Sequence, residues 1–446
     1  FEKKHSSSEW IRKKIISGTS FSVDYEAIIF NSLAKEISSR HKRIFRTDSK
    51  KLISLRQKFK QKEEALSKEY CKKIASVRPD PESVPTVESA KVREKEGFAL
   101  VKHVTMKPTA RVTVRELCSR AADALQSYIP CFLMTPSSVA DFLPKNVEFD
   151  LLIIDEASQM LPEEAVGSML RCNQVIVVGD QQQMPPTTFA SSTLKEKEED
   201  EERIESILDR ALLSFDQISR LTFHYRSADE SLINFSNQQF YQGSLVIPPS
   251  HGNDPELGLN FVDAGGVYYP NKGSNPTKHP NPVESEKIVQ LILEEMRERP
   301  QNSLGVAVMN VKQSQRIEEL FEGQKDKTIK NYLIKWENTP EYFFIKNLEN
   351  VQGDERDTMI IGTVYGKDET GKLAQNFGPI NQPKGENRVN VLITRAKKRV
   401  VVCSSIDPVD LSNLSVGTQV IRGYLDYAKN GNLKMYENPS VMQIEK

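Results

Sequence analysis

Leu151 to Ser158 reads LLIIDEAS, and Val175 to Pro186 reads VIVVGDQQQMPP. Four apolar residues without alternation, ending on Asp155-Glu156, describe a buried parallel strand covered on both faces. Ligands of open α/β sheets gather at the carboxyl ends of such strands. An adjacent Asp and Glu there suit metal-assisted phosphoryl transfer. The first carboxylate holds Mg²⁺, directly or through a water, and the second polarises the attacking water. The second apolar run ends on Gly179-Asp180 and carries Gln183, a neutral side chain able to orient a water or a terminal phosphate. Read alone, DEAS is equally an acid-rich helix N-terminus; the second run turns the reading toward a sheet.

The flanking sequence continues the alternation. Val114 to Ser127 predicts a helix, Cys131 to Thr135 (CFLMT) a strand, and Thr135-Pro136-Ser137-Ser138 a loop into a helix start. IESILDRALL is a helix candidate, and a second α/β unit begins near residue 215. Pro282 to Arg299 predicts a helix with Pro near its start and Pro300 just past its end. Leu304 to Met309 predicts a buried strand, Gln313 to Phe321 a helix, and Glu341 to Lys346 and Thr358 to Val364 two strands. Asn390 to Lys398 then predicts a helix, followed at once by a strand, Arg399 to Cys403. Such alternation gives a parallel sheet covered by helices.

Before this region the pattern differs. Leu52, Leu55, Phe59, Leu66, Tyr70 and Ile74 fall at helical spacing among Lys, Arg and Glu, a stripe most simply explained by core packing. Residues 1–80 hold 20 Lys/Arg against 10 Asp/Glu, so this helical segment either faces nucleic acid or presents a solvated surface. Residues 79–97 have the Pro/Ser/Glu character of a linker. Glu196 to Glu202, six acids in seven residues, reads as a solvated loop.

A chain of 446 residues predicts two or three domains, and 38% hydrophobic with 27% charged residues is an ordinary soluble composition. No apolar run nears the ~18 residues of a membrane span and no signal peptide is visible. The five cysteines form no CxxC, and the six histidines no HxxxH pair. Both facts argue against a structural zinc site, and the scattered thiols for a reducing compartment. A cytoplasmic protein without a membrane partner is expected.

Five signals stand in order: DEAS, GDQQQMPP, LTFHYRS (Leu221 to Ser227), VQGDERD (Val351 to Asp357) and NVLITRAKKR (Asn390 to Arg399). Each is weak alone; together, over roughly residues 130–405, they resemble the superfamily 1 helicases in their Upf-like branch, nearest to large bacterial members described as DNA helicases. The resemblance implies an α/β, RecA-like P-loop NTPase fold. Residues 1–97 would be a helical insertion and linker, 98–212 the later part of a first RecA-like domain, and 213–446 a complete second one. It implies ATP and Mg²⁺ as cofactors and a single strand of nucleic acid as partner, DNA ahead of RNA.

The resemblance also distributes roles. Asp155 is similar to the family's Mg²⁺-binding acid and Glu156 to its general base. Gln183 is similar to its γ-phosphate sensor, Tyr225 to the aromatic that stacks on the base, and Arg226 to an arginine reaching the γ-phosphate from the second domain. Arg395 resembles the arginine finger, a planar and permanently charged group suited to phosphate. Gln352, Gly353 and Glu355 resemble the motif that touches nucleotide and nucleic acid, with Glu355 on a ribose hydroxyl. Thr135, Pro136 and Thr363 would touch the nucleic-acid backbone. Structural alternatives are a salt bridge for Arg226, a helix-end dipole partner for Arg395 and a helix cap for Thr135 and Thr363; Lys397, Lys398 and Arg399 are read as dipole partners alone.

A phosphate-cradling GxxxxGK[ST] is missing before Asp155. Gly366-Lys-Asp-Glu-Thr-Gly371-Lys372-Leu373 has the glycine and lysine spacing, but Leu373 stands where the Mg²⁺-binding hydroxyl belongs, so a polar hairpin is the better reading. The resemblance therefore implies a fragment of a longer parent, its cradle lying before Phe1, that hydrolyses ATP hardly at all in isolation. The alternative function is a nucleic-acid-binding or scaffolding module with degenerate NTPase machinery. A self-sufficient nuclease finds no constellation of acids and lysine beyond these motifs.

Overall fold

The computed structural model describes residues 22–40, 49–77, 95–107, 111–186, 206–248, 254, 256–269, 280–324, 326–373, 375–412, 415–431 and 433. It divides the chain into two units, Phe1–Val84 and Pro85–Lys446. The acidic run at 196–202 and most of the 79–97 linker lie outside the described residues.

The first unit contains helices α1 (Ser22–Arg40) and α2 (Ser49–Ser76). The apolar stripe of α2 is not a packed core: Leu55, Phe59, Leu66, Tyr70 and Ile74 are all exposed. Helical spacing placed them on one face correctly, but no described neighbour covers that face.

The second unit opens with α3 (Gly97–Met106) and α4 (Val114–Tyr128), which pack around Leu100, Ala121 and Ala124. Thr113 and Glu116 start α4 with reciprocal side-chain-to-backbone bonds, so two otherwise orphaned amides are satisfied. Residues 131–135 join no sheet, contrary to the strand expected there. An apolar run becomes a strand only beside a partner. Thr135 instead caps α5 (Pro136–Phe142) by accepting the Ser138 amide.

Strands β1 (Phe149–Ile154) and β2 (Cys172–Val177) pair in parallel with Leu152 opposite Val175, joined through α6 (Pro162–Met169). One face packs on Ile154, Ala157, Ala165, Ile207 and Leu208, the last two from α7 (Ile207–Ser214). The expectation of cover on both faces fails: Leu151, Ile153 (59% exposed) and Ile176 lie open on the other side. No described element lies there.

After α8 (Ser231–Phe240) comes the larger sheet: β3 (Gly258–Asp263), β4 (Leu304–Val308), β5 (Phe344–Asn347), β6 (Arg356–Gly366) and β7 (Ala396–Ser405). Its order is β3-β7-β6-β4-β5 and every pairing is parallel. The crossovers include α9 (Pro282–Glu298), α10 (Val311–Glu322), α11 (Lys327–Glu337) and α12 (Gly385–Ile393), and α13 (Val416–Asn430) closes the unit. Here both faces are covered, and Val306, Ile360 and Val402 lie in one continuous core. Unbroken apolar runs in β4, β6 and β7 are what such burial demands.

The helix expected over Asn390–Lys398 ends at Ile393, and Ala396–Lys398 already belong to β7. The rejected cradle is a hairpin, with Lys367 bridged to Leu373, Asp368 accepting the Thr370 and Lys372 amides, and Gly371 at φ +80°. Among the described residues no helix is long and apolar enough to cross a membrane.

Candidate active site

Asp155 and Glu156 follow the carboxyl end of β1, and Gly179-Asp180 follow that of β2. On the larger sheet the matching residues sit at the opposite ends: Gln352–Glu355 precede β6 and Arg395 precedes β7. The site is thus a seam between the carboxyl ends of one sheet and the amino ends of the other.

Side chains cross this seam. Gln352 Nε2 donates to Glu156 Oε2 at 3.3 Å, as does Gln159 Nε2. Asp155 Oδ1 accepts the Glu156 amide at 2.9 Å. Glu156 sits at φ +52°, a left-handed conformation uncommon for a residue with a side chain and frequent where function over-determines the backbone. Gly179 leaves the room for this turn: a Cβ there would lie 3.1 Å from the Ser158 amide and 3.0 Å from Leu208.

The cations gather opposite. Arg226 Nε meets Glu355 Oε2 at 2.7 Å, and Lys397 Nζ meets Glu355 Oε1 at 3.0 Å and Glu341 Oε1 at 2.6 Å. Arg395 is 5% exposed, with Nε on the Val391 carbonyl and Nη2 on the Thr394 hydroxyl. Burial and the nearby Arg226 charge push its pKa below the usual guanidinium value, while Glu156 and Glu355 oppose the shift. Arg226 and Arg395 thus bring two like charges close together, a repulsion that an added anion would relieve.

Of the expected residues, Glu156, Gln352, Glu355, Arg226 and Arg395 converge. Tyr225 projects with 83% of its surface exposed, a free ring beside Arg226. Gly353, at φ +84°, forms the left-handed turn that leads to Glu355. Gln183 Nε2 donates to Asp180 Oδ2 at 3.2 Å, leaving its buried Oε1 without a partner. Thr135 is a cap, with Pro136 at the first turn of the same helix. Thr363 departs from expectation. It is 1% exposed, its hydroxyl meets Ser404 Oγ at 2.9 Å, and it lies eight residues along β6 from Glu355. At about 3.3 Å per residue that is roughly 26 Å, and the interior position keeps it from any strand.

Lys397, Lys398 and Arg399 are not dipole partners of a helix end. As members of β7 they pair with Glu355 and Glu341, Asp357, and Glu295 respectively. Asn387 and Tyr241 carry no signal in the sequence, and Asn390 enters it only as the first residue of NVLITRAKKR. Asn387 Nδ2 donates to the Gln181 and Gln183 carbonyls at 2.8 Å each, and Asn390 Nδ2 to the Gln182 carbonyl at 2.8 Å. Tyr241 donates to Asp180 Oδ2 at 2.7 Å, and burial next to that carboxylate drives its phenol pKa upward. Their partners are mostly backbone carbonyls far away in sequence, which no spacing announces.

Carboxylates past the carboxyl ends of β1 and β2 thus lie across the seam from Arg395, which precedes the amino end of β7, and from Arg226. A family model described as "AAA domain" matches residues 3–191, and a second of the same description matches residues 204–407. An uncharacterized ATP-dependent helicase of Mycoplasma genitalium is 31% identical over 324 residues, covering 69% of this chain and 28% of the relative. One from Methanocaldococcus jannaschii is 22% identical over 308 residues, covering 64% and 40%. An arterivirus nonstructural protein 10 helicase solved with DNA has 12% identity and a TM-score of 0.28, covering 59% of this chain and 41% of that one. The chain belongs to the superfamily 1 helicases, in the Upf-like branch. It spans 28% of the length of the Mycoplasma relative.

Proposed function

We propose that these residues form the inter-lobe half of the ATP site in a helicase that couples hydrolysis to movement along a single strand of nucleic acid, DNA ahead of RNA. Residues 98–212 supply one wall and 213–446 the other, with 1–97 as a helical insertion. The observation that carries this reading is the meeting of Glu156 with Gln352 across the seam, beside the Arg226–Glu355 pair and the buried Arg395.

The residues fit Mg²⁺-ATP in part. Among the described residues no three His, Cys, Asp or Glu gather into a ready-made metal site, and none pairs Asp155 with a cation. Mg²⁺ is characteristically held by one or two carboxylates plus substrate phosphates and waters, and Asp155 is an exposed carboxylate of that kind. Bound Mg²⁺ would supply charge neutralisation at the phosphates. Glu156 would take a proton from the attacking water. Arg226, moving from Glu355, and Arg395 would hold the phosphates, Glu355 a ribose hydroxyl, and Tyr225 the base. Gln352 would link this centre to the strand, with Thr135 and Pro136 beside its path. Sequence offers no cradle for the β-phosphate within these 446 residues.

ATP hydrolysis by the full-length natural protein, measured with and without single-stranded DNA or RNA, tests this. Strand-stimulated turnover is expected, larger with DNA. Binding of strands with no ATP turnover in that protein would favour the scaffolding alternative.

A further inference from the structure

Helix α12 carries two asparagines, Asn387 and Asn390, one helical turn apart and therefore on one face. Both are buried, at 3% and 1% exposure, and both spend their amide protons on the carbonyls of Gln181, Gln182 and Gln183. Asn390 Nδ2 also donates to the Tyr241 hydroxyl at 3.0 Å, and that hydroxyl donates in turn to Asp180. Asp180 is the hub of the same loop: Oδ1 accepts the Gln182 amide at 2.9 Å and Oδ2 accepts Gln183 Nε2. Since a carboxylate cannot donate, the Gln183 amide group must face Asp180, and its unpartnered Oε1 is left to accept.

Arg395 lies two residues past the other end of α12 and is tied back to it. Its Nε is bonded to the Val391 carbonyl and its Nη2 to Thr394, whose hydroxyl is bonded to the Asn390 carbonyl. One rigid helix therefore grips the Gln183 loop with its first turns and, through the Val391 and Asn390 carbonyls, ties down the arginine just past its end. Any shift of the larger lobe that moves Arg395 must carry the loop with it or break the bonds from Asn387 and Asn390.

We propose that Asn387, Asn390 and Tyr241 are positioning residues that keep Gln183 in register with Arg395. The two groups then address the same reacting atoms only while this clasp is closed. The proposal rests on the nucleotide-site reading above for what those atoms are, and on geometry alone for the clasp itself. The bond from Asn390 to the Gln182 carbonyl is buried, so breaking it would strand that carbonyl without a donor.

Two variants of the full-length protein test it, Asn387→Ala and the milder Tyr241→Phe, with two readouts. Amide hydrogen exchange over residues 181–184 should speed up by roughly tenfold, the factor equivalent to about 1.4 kcal/mol. Steady-state hydrolysis should show kcat reduced by about tenfold or more with KM for ATP held within about twofold, as for an interaction made in the transition state. Unchanged exchange in both variants overturns the clasp. Faster exchange with kcat unaltered, or with the loss entirely in KM, overturns its role in positioning. If the unsubstituted protein hydrolyses no ATP, the nucleotide-site reading fails while exchange still decides whether the clasp exists.

Discussion

Arg395 serves its own helix and the seam at once. Its Nε holds a carbonyl in the last turn of α12, as a helix-end arginine would, while its charge faces Glu156, Glu355 and Arg226. Arg395→Ala should lower ATP turnover by about a thousandfold, the scale of an arginine finger, and strand affinity by less than about threefold. Equal losses in both would mark a structural role. Its residue type was legible because it stands in a recognisable motif. The roles of Lys397, Lys398 and Arg399 were not, because the acids that pair with them come from distant segments. Glu284 gives a second test. It is fully buried, and desolvation pushes its carboxyl up to about 8 against the amide of Val364 and the hydroxyl of Ser405 that favour its charge. The native state keeps a proton that the unfolded chain releases above 4.5. Stability from this group is therefore greatest at low pH and falls as pH rises through the interval toward 8, by about 1.4 kcal/mol per pH unit. Melting temperature against pH should show that slope, and Glu284→Gln should flatten it; an identical slope in the variant contradicts the assignment.

Helix α9 lies against the sheet where β6 has a glycine. A Cβ on Gly362 would stand 2.6 Å from Ile288 Cδ1 and 2.8 Å from Val308 Cγ1. Gly362→Ala should therefore destabilise the second unit by about 1–3 kcal/mol through overpacking. Urea unfolding reads this, and a shift below about 0.5 kcal/mol would show that Ile288 gives way freely. Elements with unbroken apolar runs and flanking stops were legible: α9 between its prolines, β4, and the heart of β6. Two boundaries were not. Residues 131–135 look like a strand in composition but join no ladder, and the start of β7 looks like a helix end because Lys and Arg suit both. In each case tertiary pairing decides what local propensity leaves open.

The second unit joins a small sheet, open on one face, to a larger sheet closed on both. The open face of Leu151, Ile153 and Ile176 was not foreseen, since an apolar run tells that a strand prefers cover and not that cover is present. The sequence also suggested that ligands gather at the carboxyl ends of strands. The candidate residues of the small sheet lie past the carboxyl ends of β1 and β2, whereas those of the larger sheet lie before the amino ends of β6 and β7, and Thr363 stands toward the other end of β6. The central claim is that Glu156 activates the water for ATP hydrolysis at the seam of the two sheets. Parallel measurement of ATP binding and of strand-stimulated turnover in full-length Glu156→Gln tests it most directly. The account predicts ATP affinity within about threefold of the unsubstituted protein and turnover reduced by at least about a hundredfold. Turnover retained in that variant would contradict it.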